Sequence, residues 1–251
     1  MQTSAHQTVP AISIKGLSVS YDRKIVLANI YLDVEAGRVY GVIGPNGAGK
    51  STLFKAILGL VETSTGLVEI FGEPVERHLR RVAYVPQRDD VDWDFPATVM
   101  DVVLMGRYPH KRLWQRIDRH DREIALAAMR ELGIEHLRDR QVGELSGGQQ
   151  QRMFIARAIC QEASIYLLDE PFVGVDITTE ERIVAILKKL AREGKTLMVV
   201  HHDLATVPHY FDRVIMINQR LVAAGDTHST FTEENIAATY AGQMPILHKI
   251  S

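Results

Sequence analysis

Arg38-Val-Tyr-Gly-Val-Ile43 runs directly into Gly44-Pro-Asn-Gly-Ala-Gly49-Lys50-Ser51-Thr52. The first six residues are a short apolar run, as in a strand buried on both faces of a parallel sheet. The next eight fit G-x-x-x-x-G-K-[ST], and the apolar pattern that follows predicts a helix from about Gly49 to Leu60. Strand, glycine-rich turn and helix in that order form a cradle for phosphate. The glycines let successive N–H groups point inward, and the helix start adds the positive end of its dipole. Lys50 reaches β- and γ-phosphates, and the Ser51 hydroxyl is offered to Mg²⁺.

The flanking sequence agrees with a parallel sheet covered by helices. Ile165-Tyr-Leu-Leu168 reads as a buried strand that delivers Asp169 and Glu170 to its C-terminal end, where ligands bind in such sheets. One carboxylate, Asp169, suits the Mg²⁺ shell, and the next, Glu170, would polarise water. Thr178–Arg192 reads as a helix, Thr196–Val200 as a strand, Leu204–Tyr210 as a short helix and Val214–Ile217 as a strand. This alternation predicts βαβ units. Upstream, 12–14, 17–21, 25–34, 67–71 and 81–85 read as strands, with 12–14 and 17–21 alternating apolar and polar residues. From Val99 to Arg157 the period turns helical, as an insertion into the α/β core. Thr98, Asp118 or Asp121, and Ser146 are placed to cap its helices.

Composition excludes several classes. The chain has 251 residues with Lys+Arg 29 against Asp+Glu 31, so bulk charge does not hold it on nucleic acid. One cysteine, Cys160, excludes a disulfide framework and fits a reducing cytosol. No apolar run reaches the ~18–20 residues of a membrane span. Met1 to Pro10 is a polar tail without an apolar signal core, so no export signal is expected. The ten histidines form no Cys/His cluster and no His-x-x-x-His pair, which argues against a dedicated transition-metal site.

Leu145-Ser146-Gly147-Gly148-Gln149 discriminates among phosphate-binding proteins. With the cradle and Asp169-Glu170, it resembles the signature motif of ATP-binding-cassette (ABC) ATPases. The resemblance covers about residues 11–241, leaving 1–10 and 242–251 as tails, with a helical subdomain at about 93–157. It implies an α/β fold with a RecA-like P-loop core, an antiparallel β subdomain and an inserted helical subdomain. It also implies a Mg²⁺-dependent ATPase that works as a homodimer, with Leu145–Gln149 of one copy closing on ATP in the cradle (Gly44, Pro45, Asn46, Gly47, Ala48, Gly49, Lys50, Ser51 and Thr52) of the other.

Residue by residue, Tyr21 falls at the adenine-stacking aromatic and Gln87 at the glutamine that senses Mg²⁺ and the attacking water. Asp176 falls in the loop that crosses the dimer interface, where this chain departs from the usual Ser-Ala-Leu-Asp. Of the adjacent His201 and His202, spacing to Asp203 favours His202 as the γ-phosphate contact, with His201 a buried neighbour.

A single cassette resembles the ATPase subunit of a bacterial-type importer. Asp92-Trp-Asp-Phe-Pro-Ala-Thr98, Asp101-Val-Val-Leu-Met-Gly-Arg-Tyr108 and Val207-Pro-His-Tyr-Phe-Asp212 resemble ATPases of manganese, zinc and iron uptake. ATPases of siderophore, haem or cobalamin uptake share part of this pattern, and soluble ABC proteins are a third class. The importer branch implies two membrane permease subunits, an extracytoplasmic metal-binding protein, and residence on the cytoplasmic face of the membrane through the permease. Trp93 and Phe95 read either as core aromatics or as exposed anchors for a permease helix. Lys111–Arg122, with five basic residues, reads as a solvated face or a lipid-facing patch.

Overall fold

The computed structural model describes residues 9–241 apart from Asp89, Asp90, Asp92, Asp94 and Leu113. Most of both expected tails, and Asp92 and Asp94 of the acidic loop, lie outside the described residues. The strands are β1 (Ile12–Tyr21), β2 (Lys24–Val34), β3 (Val39–Ile43), β4 (Thr65–Ile70), β5 (Glu73–Pro74), β6 (Val82–Val85), β7 (Ile165–Leu168), β8 (Thr196–Val200), β9 (Arg213–Asn218) and β10 (Arg220–Asp226). The α-helices are α1 (Lys50–Ile57), α2 (Val99–Leu104), α3 (Arg119–Glu131), α4 (Gly147–Cys160), α5 (Ile177–Arg192), α6 (Val207–Tyr210), α7 (Thr227–Thr230) and α8 (Glu233–Thr239).

One sheet has the order β10-β9-β3-β8-β7-β6 and is parallel from β9 to β6, with β10 antiparallel at its edge. The other, β2-β1-β4-β5, is antiparallel. The Ala28 N–H donates to the Gln219 carbonyl at 2.7 Å and joins the edges of the two sheets.

The period-2 rule divides the parallel strands between two cores. Val42, Met198, Val200, Ile215 and Ile217 face α1 and the antiparallel sheet. Val39, Val85, Leu168, Leu197, Val199 and Met216 face the helices on the opposite side. There α5 buries Ile183, Val184, Ile186, Leu187, Leu190 and Ala191 along one stripe. Each fully buried aliphatic side chain contributes about 1.5–3 kcal/mol relative to exposure.

Strands β6 and β7 are parallel neighbours, Val82 facing Ile165 and Val85 facing Leu168, so everything between them is one long crossover. It holds α2, α3 and α4, and each begins with a reciprocal capping box: Thr98 with Asp101, Asp118 with Asp121, Ser146 with Gln149. Asp118 is therefore the cap of α3 and Asp121 its third helical residue, which settles the alternative left by the sequence. The helical pattern is broken between Lys111 and Asp118, where the described residues are irregular.

Ion pairs fasten this arm. Arg107, 6% exposed, donates to Asp121 Oδ1 at 3.1 Å, to the Cys160 carbonyl at 2.8 Å and to Glu162 Oε2 at 2.7 Å. Lys111 pairs with Asp118 at 3.0 Å and with Asp121, so it is part of this lock rather than of a solvated face. Burial alone would raise the Asp121 carboxyl. The Asp118 N–H, Lys111 and Arg107 outweigh it and hold Asp121 well below the usual carboxylate range. A depressed carboxyl gives stability that is present at neutral pH and lost as pH falls through its folded value. Asp121→Ala is therefore expected to lower stability by about 3–5 kcal/mol at pH 7 in urea unfolding. The gap to the parent narrows as pH drops below about 4; a gap that stays constant on acidification would contradict the pairing. Cys160 is buried beside this network, and burial pushes its thiol up to about 12.

The expected elements are present with ends shifted by a few residues, except that the strands expected at 12–14 and 17–21 are one, β1. Four elements have no counterpart in the sequence reading, β5, β10, α7 and α8, and residues beside β10 and α8 support the site.

Candidate active site

Three parallel strands end side by side. Beyond β3 lies Gly44–Gly49, beyond β7 Asp169 and Glu170, and beyond β8 His201 and His202. The ladder carries on past the strand ends, with Asp169 N–H donating to the Val85 carbonyl at 2.9 Å and His201 N–H to the Val42 carbonyl at 3.1 Å. These bonds fix the acidic turn against the end of β6 and the histidine turn against β3, which leads into the cradle.

Glycine is required at two points of the cradle. A Cβ on Gly44 would lie 2.0 Å from the Ile217 carbonyl oxygen. Gly49 has φ +95°, and its Cβ would lie 2.5 Å from Leu27 Cδ2. From beneath, the Gln219 N–H donates to the Ala48 carbonyl at 2.9 Å. Burial raises the phenol of Tyr240, just past α8, and the backbone of Gly44 beside it partly offsets this. No side chain caps the start of α1, which leaves its first amides for a ligand. Lys50 is 6% exposed and donates to the carbonyls of Gly44 at 2.8 Å and Pro45 at 2.9 Å. Burial lowers its ammonium, and the charges of Glu170 and Asp169 partly offset this.

Asp169 is fully buried, and neither carboxylate oxygen has a partner in good hydrogen-bonding geometry. Burial raises its carboxyl, and the Ser51 side chain beside it gives a partial offset. A buried orphan carboxylate next to a hydroxyl is costly by itself and fits a hard divalent cation with oxygen ligands.

Glu170 has φ +52°, a left-handed turn that swings its carboxylate away from the strand direction. His202 Nε2 is 2.7 Å from Glu170 Oε1, and Gln87 Nε2 donates to Oε2 at 3.3 Å. Asn46, Gly47, Ala48, Lys50, Ser51, Gln87, Glu170 and His202 together line one cleft of about 540 Å³, within the range of small-molecule sites.

His201 turns the other way. It is 5% exposed, bonds Thr206 Oγ1 at 2.6 Å and sits among the rings of Phe172, Tyr210 and Phe211. Burial lowers its imidazole, partly opposed by Asp203.

Other expected residues lie apart from this cleft. Tyr21 ends β1, 45% exposed, and is not among the lining residues. Leu145–Gln149 leads into α4, with Ser146 Oγ accepting the Gln149 N–H. Neither Ser146 nor its glycines line the cleft, so within one chain they do not complete it. Asp176 caps α5, Oδ1 accepting the Thr179 N–H at 3.0 Å, and its loop passes α4, where a Cβ on Gly148 would lie 3.0 Å from the Gly174 carbonyl.

Sequence reading missed Arg88. It donates from Nε to Gln150 Oε1 at 3.0 Å, and its guanidinium lies 3.1 Å from where a Gly147 Cβ would stand. Its carbonyl accepts from Trp93 Nε1 at 3.1 Å. Arg88 thus ties the residue after Gln87 to the start of α4, with no local pattern to announce it. Trp93 is half-buried, edge-on to Phe154 at 5.5 Å, whereas Phe95 is 56% exposed. Of the two aromatics, Trp93 is thus packed against the arm and Phe95 is exposed.

Residues 27–173 match the family model described as ABC transporter. The manganese transport system ATP-binding protein MntB of Halalkalibacterium halodurans is 47% identical over 240 residues, covering 96% of both chains. The zinc transport system ATP-binding protein TroB of Treponema pallidum is 50% identical over 237 residues, 94% of this chain and 89% of that one. A nucleotide-free ATP-binding cassette from an ABC transporter superposes with a TM-score of 0.75 at 26% identity, covering 93% of this chain and 96% of the other. A bacterial ABC transporter cassette solved as a dimer gives a TM-score of 0.76 at 28% identity, covering 86% and 98%. Cradle, acidic strand end, signature helix and these relatives converge: the chain belongs to the ABC transporter family, as one of its ATP-hydrolysing subunits.

Proposed function

We propose that this ATPase powers the uptake of a divalent metal ion, manganese, zinc or iron, through a membrane permease. The observation that carries the catalytic part is the Glu170 carboxylate held between Gln87 and His202 at the mouth of the cradle. The transport part rests on relatives named for manganese and zinc transport.

In this reading the cradle amides and Lys50 bind the triphosphate, Lys50 exchanging its two carbonyl partners for phosphate oxygens. Asp169, Ser51 and Gln87 hold Mg²⁺, which supplies charge neutralisation at the β- and γ-phosphates. Glu170 orients the attacking water and accepts its proton. His202 holds the γ-phosphate and water in line, and Tyr21 stacks on adenine. Ser146–Gln149 of a second copy closes on the same γ-phosphate, with the Asp176 loops crossing between copies, so turnover belongs to the dimer. Residues 11–241 form the ATPase unit, with 93–157 its helical arm. Two permease subunits hold the dimer at the cytoplasmic face of the membrane, and an extracytoplasmic protein delivers the metal. No nucleic acid takes part. Among the described residues no helix is long and apolar enough to cross a membrane.

Deleting the gene is expected to lower cellular manganese, zinc or iron, measured by elemental analysis, and an excess of that metal restores growth. Normal metal content with loss of an organic nutrient would overturn metal uptake in favour of another importer branch.

A further inference from the structure

Trp114 is 93% exposed, more than any other large apolar side chain among the described residues. Its backbone is left-handed, at φ +74°, where a bulky residue is costly and glycine is favoured. The chain therefore meets a conformational cost to hold an indole in water, where burial gives nothing back.

The turn that carries Trp114 is closed and anchored. The Arg112 N–H donates to Gln115 Oε1 at 3.2 Å, and the Gln115 N–H donates to the Arg112 carbonyl at 2.9 Å. Lys111 is fastened to Asp118 and Asp121, and the His110 ring lies 2.6 Å from the Gln161 carbonyl. These contacts hold the turn near the Cys160 end of α4. Ser146 caps the other end of this 14-residue helix, about 20 Å away, so the turn stands clear of a second copy closing on Ser146–Gln149.

The charge around the indole is positive. Lys111–Arg122 carries five Lys or Arg against two Asp, and Lys111 engages both Asp. Arg119 pairs with Glu123 at 3.0 Å. Arg112 and Arg116, both exposed, stand two residues before and after Trp114. Protein interfaces seat their aromatic anchors in pockets, whereas this indole projects from a turn. An amphipathic indole between two guanidinium groups matches the surface of a membrane, anionic outside and apolar beneath.

We propose that the turn from Arg112 to Arg116 is a lipid contact. Trp114 enters the headgroup layer of an anionic membrane, and Arg112 and Arg116 pair with lipid phosphates. The proposal takes nearness to a membrane from the importer reading above, and its test uses this chain alone. One indole and two cations bind weakly by themselves. A permease that holds the subunit at the membrane raises the effective concentration, and the contact then steadies the outer end of the helical arm.

The test mixes the full chain with vesicles at low ionic strength and separates them by flotation. The parent is expected to float with vesicles of phosphatidylglycerol and phosphatidylcholine, and not with phosphatidylcholine alone. The chain has two tryptophans, so Trp93→Phe leaves Trp114 as the sole indole, and its emission should shift to the blue on the anionic vesicles. Each basic residue at such a surface contributes about fivefold, so Arg112→Gln combined with Arg116→Gln should lower partitioning about 25-fold. Trp114→Ala should lower it about tenfold. Trp114→Gly suits the left-handed backbone, so it should raise the urea midpoint slightly while losing lipid binding. A packing role for Trp114 would lower that midpoint instead.

Failure of the parent to float with anionic vesicles would overturn the inference. So would equal binding to neutral vesicles, an unshifted Trp114 emission on bound protein, or parent-like binding by the double arginine variant. Trp114→Ala that binds vesicles like the parent but no longer assembles with the permease would make the turn a protein interface and overturn it equally. Any of these results leaves the importer reading standing, since elemental analysis of the deletion strain tests that reading separately.

Discussion

Glu170→Gln is expected to hydrolyse ATP about 10²–10⁴-fold more slowly than the parent, the range a positioned general base supplies. Glutamine keeps the size of the side chain and an oxygen that can accept from Gln87 or His202, but it loses the charge that takes up a proton. ATP affinity should survive, because the cradle, Lys50 and Ser51 are untouched. Phosphate release measured at saturating ATP and Mg²⁺ checks this. Hydrolysis at the parent rate would take Glu170 out of the reaction despite its contacts with Gln87 at 3.3 Å and His202 at 2.7 Å.

The second large effect is on binding. Lys50→Ala removes a buried ammonium whose present partners, the Gly44 and Pro45 carbonyls, lie in the cradle itself. Charge-assisted hydrogen bonds contribute about 1.5–3 kcal/mol each, so ATP affinity should fall by about 10–100-fold or more, with turnover falling alongside. Titration with a fluorescent ATP analogue reads the affinity directly. An unchanged dissociation constant would contradict the cradle assignment. The two variants separate the halves of the site, since one binds without turning over and the other fails at binding.

Much of this site was legible in the chain because its chemistry is written locally. Gly44–Ser51 is one continuous stretch between a strand and a helix, and Asp169-Glu170 directly follows four buried residues. The three caps were legible for the same reason: Ser, Thr and Asp bond amides three residues on. The choice between His201 and His202 became physical only in three dimensions, where one ring packs among aromatics and the other meets Glu170.

What escaped the sequence is long-range. Arg88 finds Gln150, Arg107 finds Asp121 and Glu162, and Tyr240 finds Gly44, and in none does local spacing specify the partner. Strand β10 was missed because it is an edge strand, half-buried along most of its length, so its Leu-Val-Ala-Ala-Gly run has no clean alternation. Helix α8 is short and mostly polar, although Thr232 with Glu233 and Glu234 after it is an ordinary helix start. Gln219, just before β10, and Tyr240, just past α8, both lie against the cradle. The support of the phosphate loop was therefore harder to read than the loop.

The central claim is that one chain holds half of a site and a second copy supplies Ser146–Gln149. Light scattering of Glu170→Gln with saturating ATP and Mg²⁺ tests it most directly, because blocking hydrolysis removes the step that would reopen the closed pair. The expected mass is that of a dimer with ATP and of a monomer with ADP or without Mg²⁺. A monomer mass for nucleotide-saturated Glu170→Gln would contradict it.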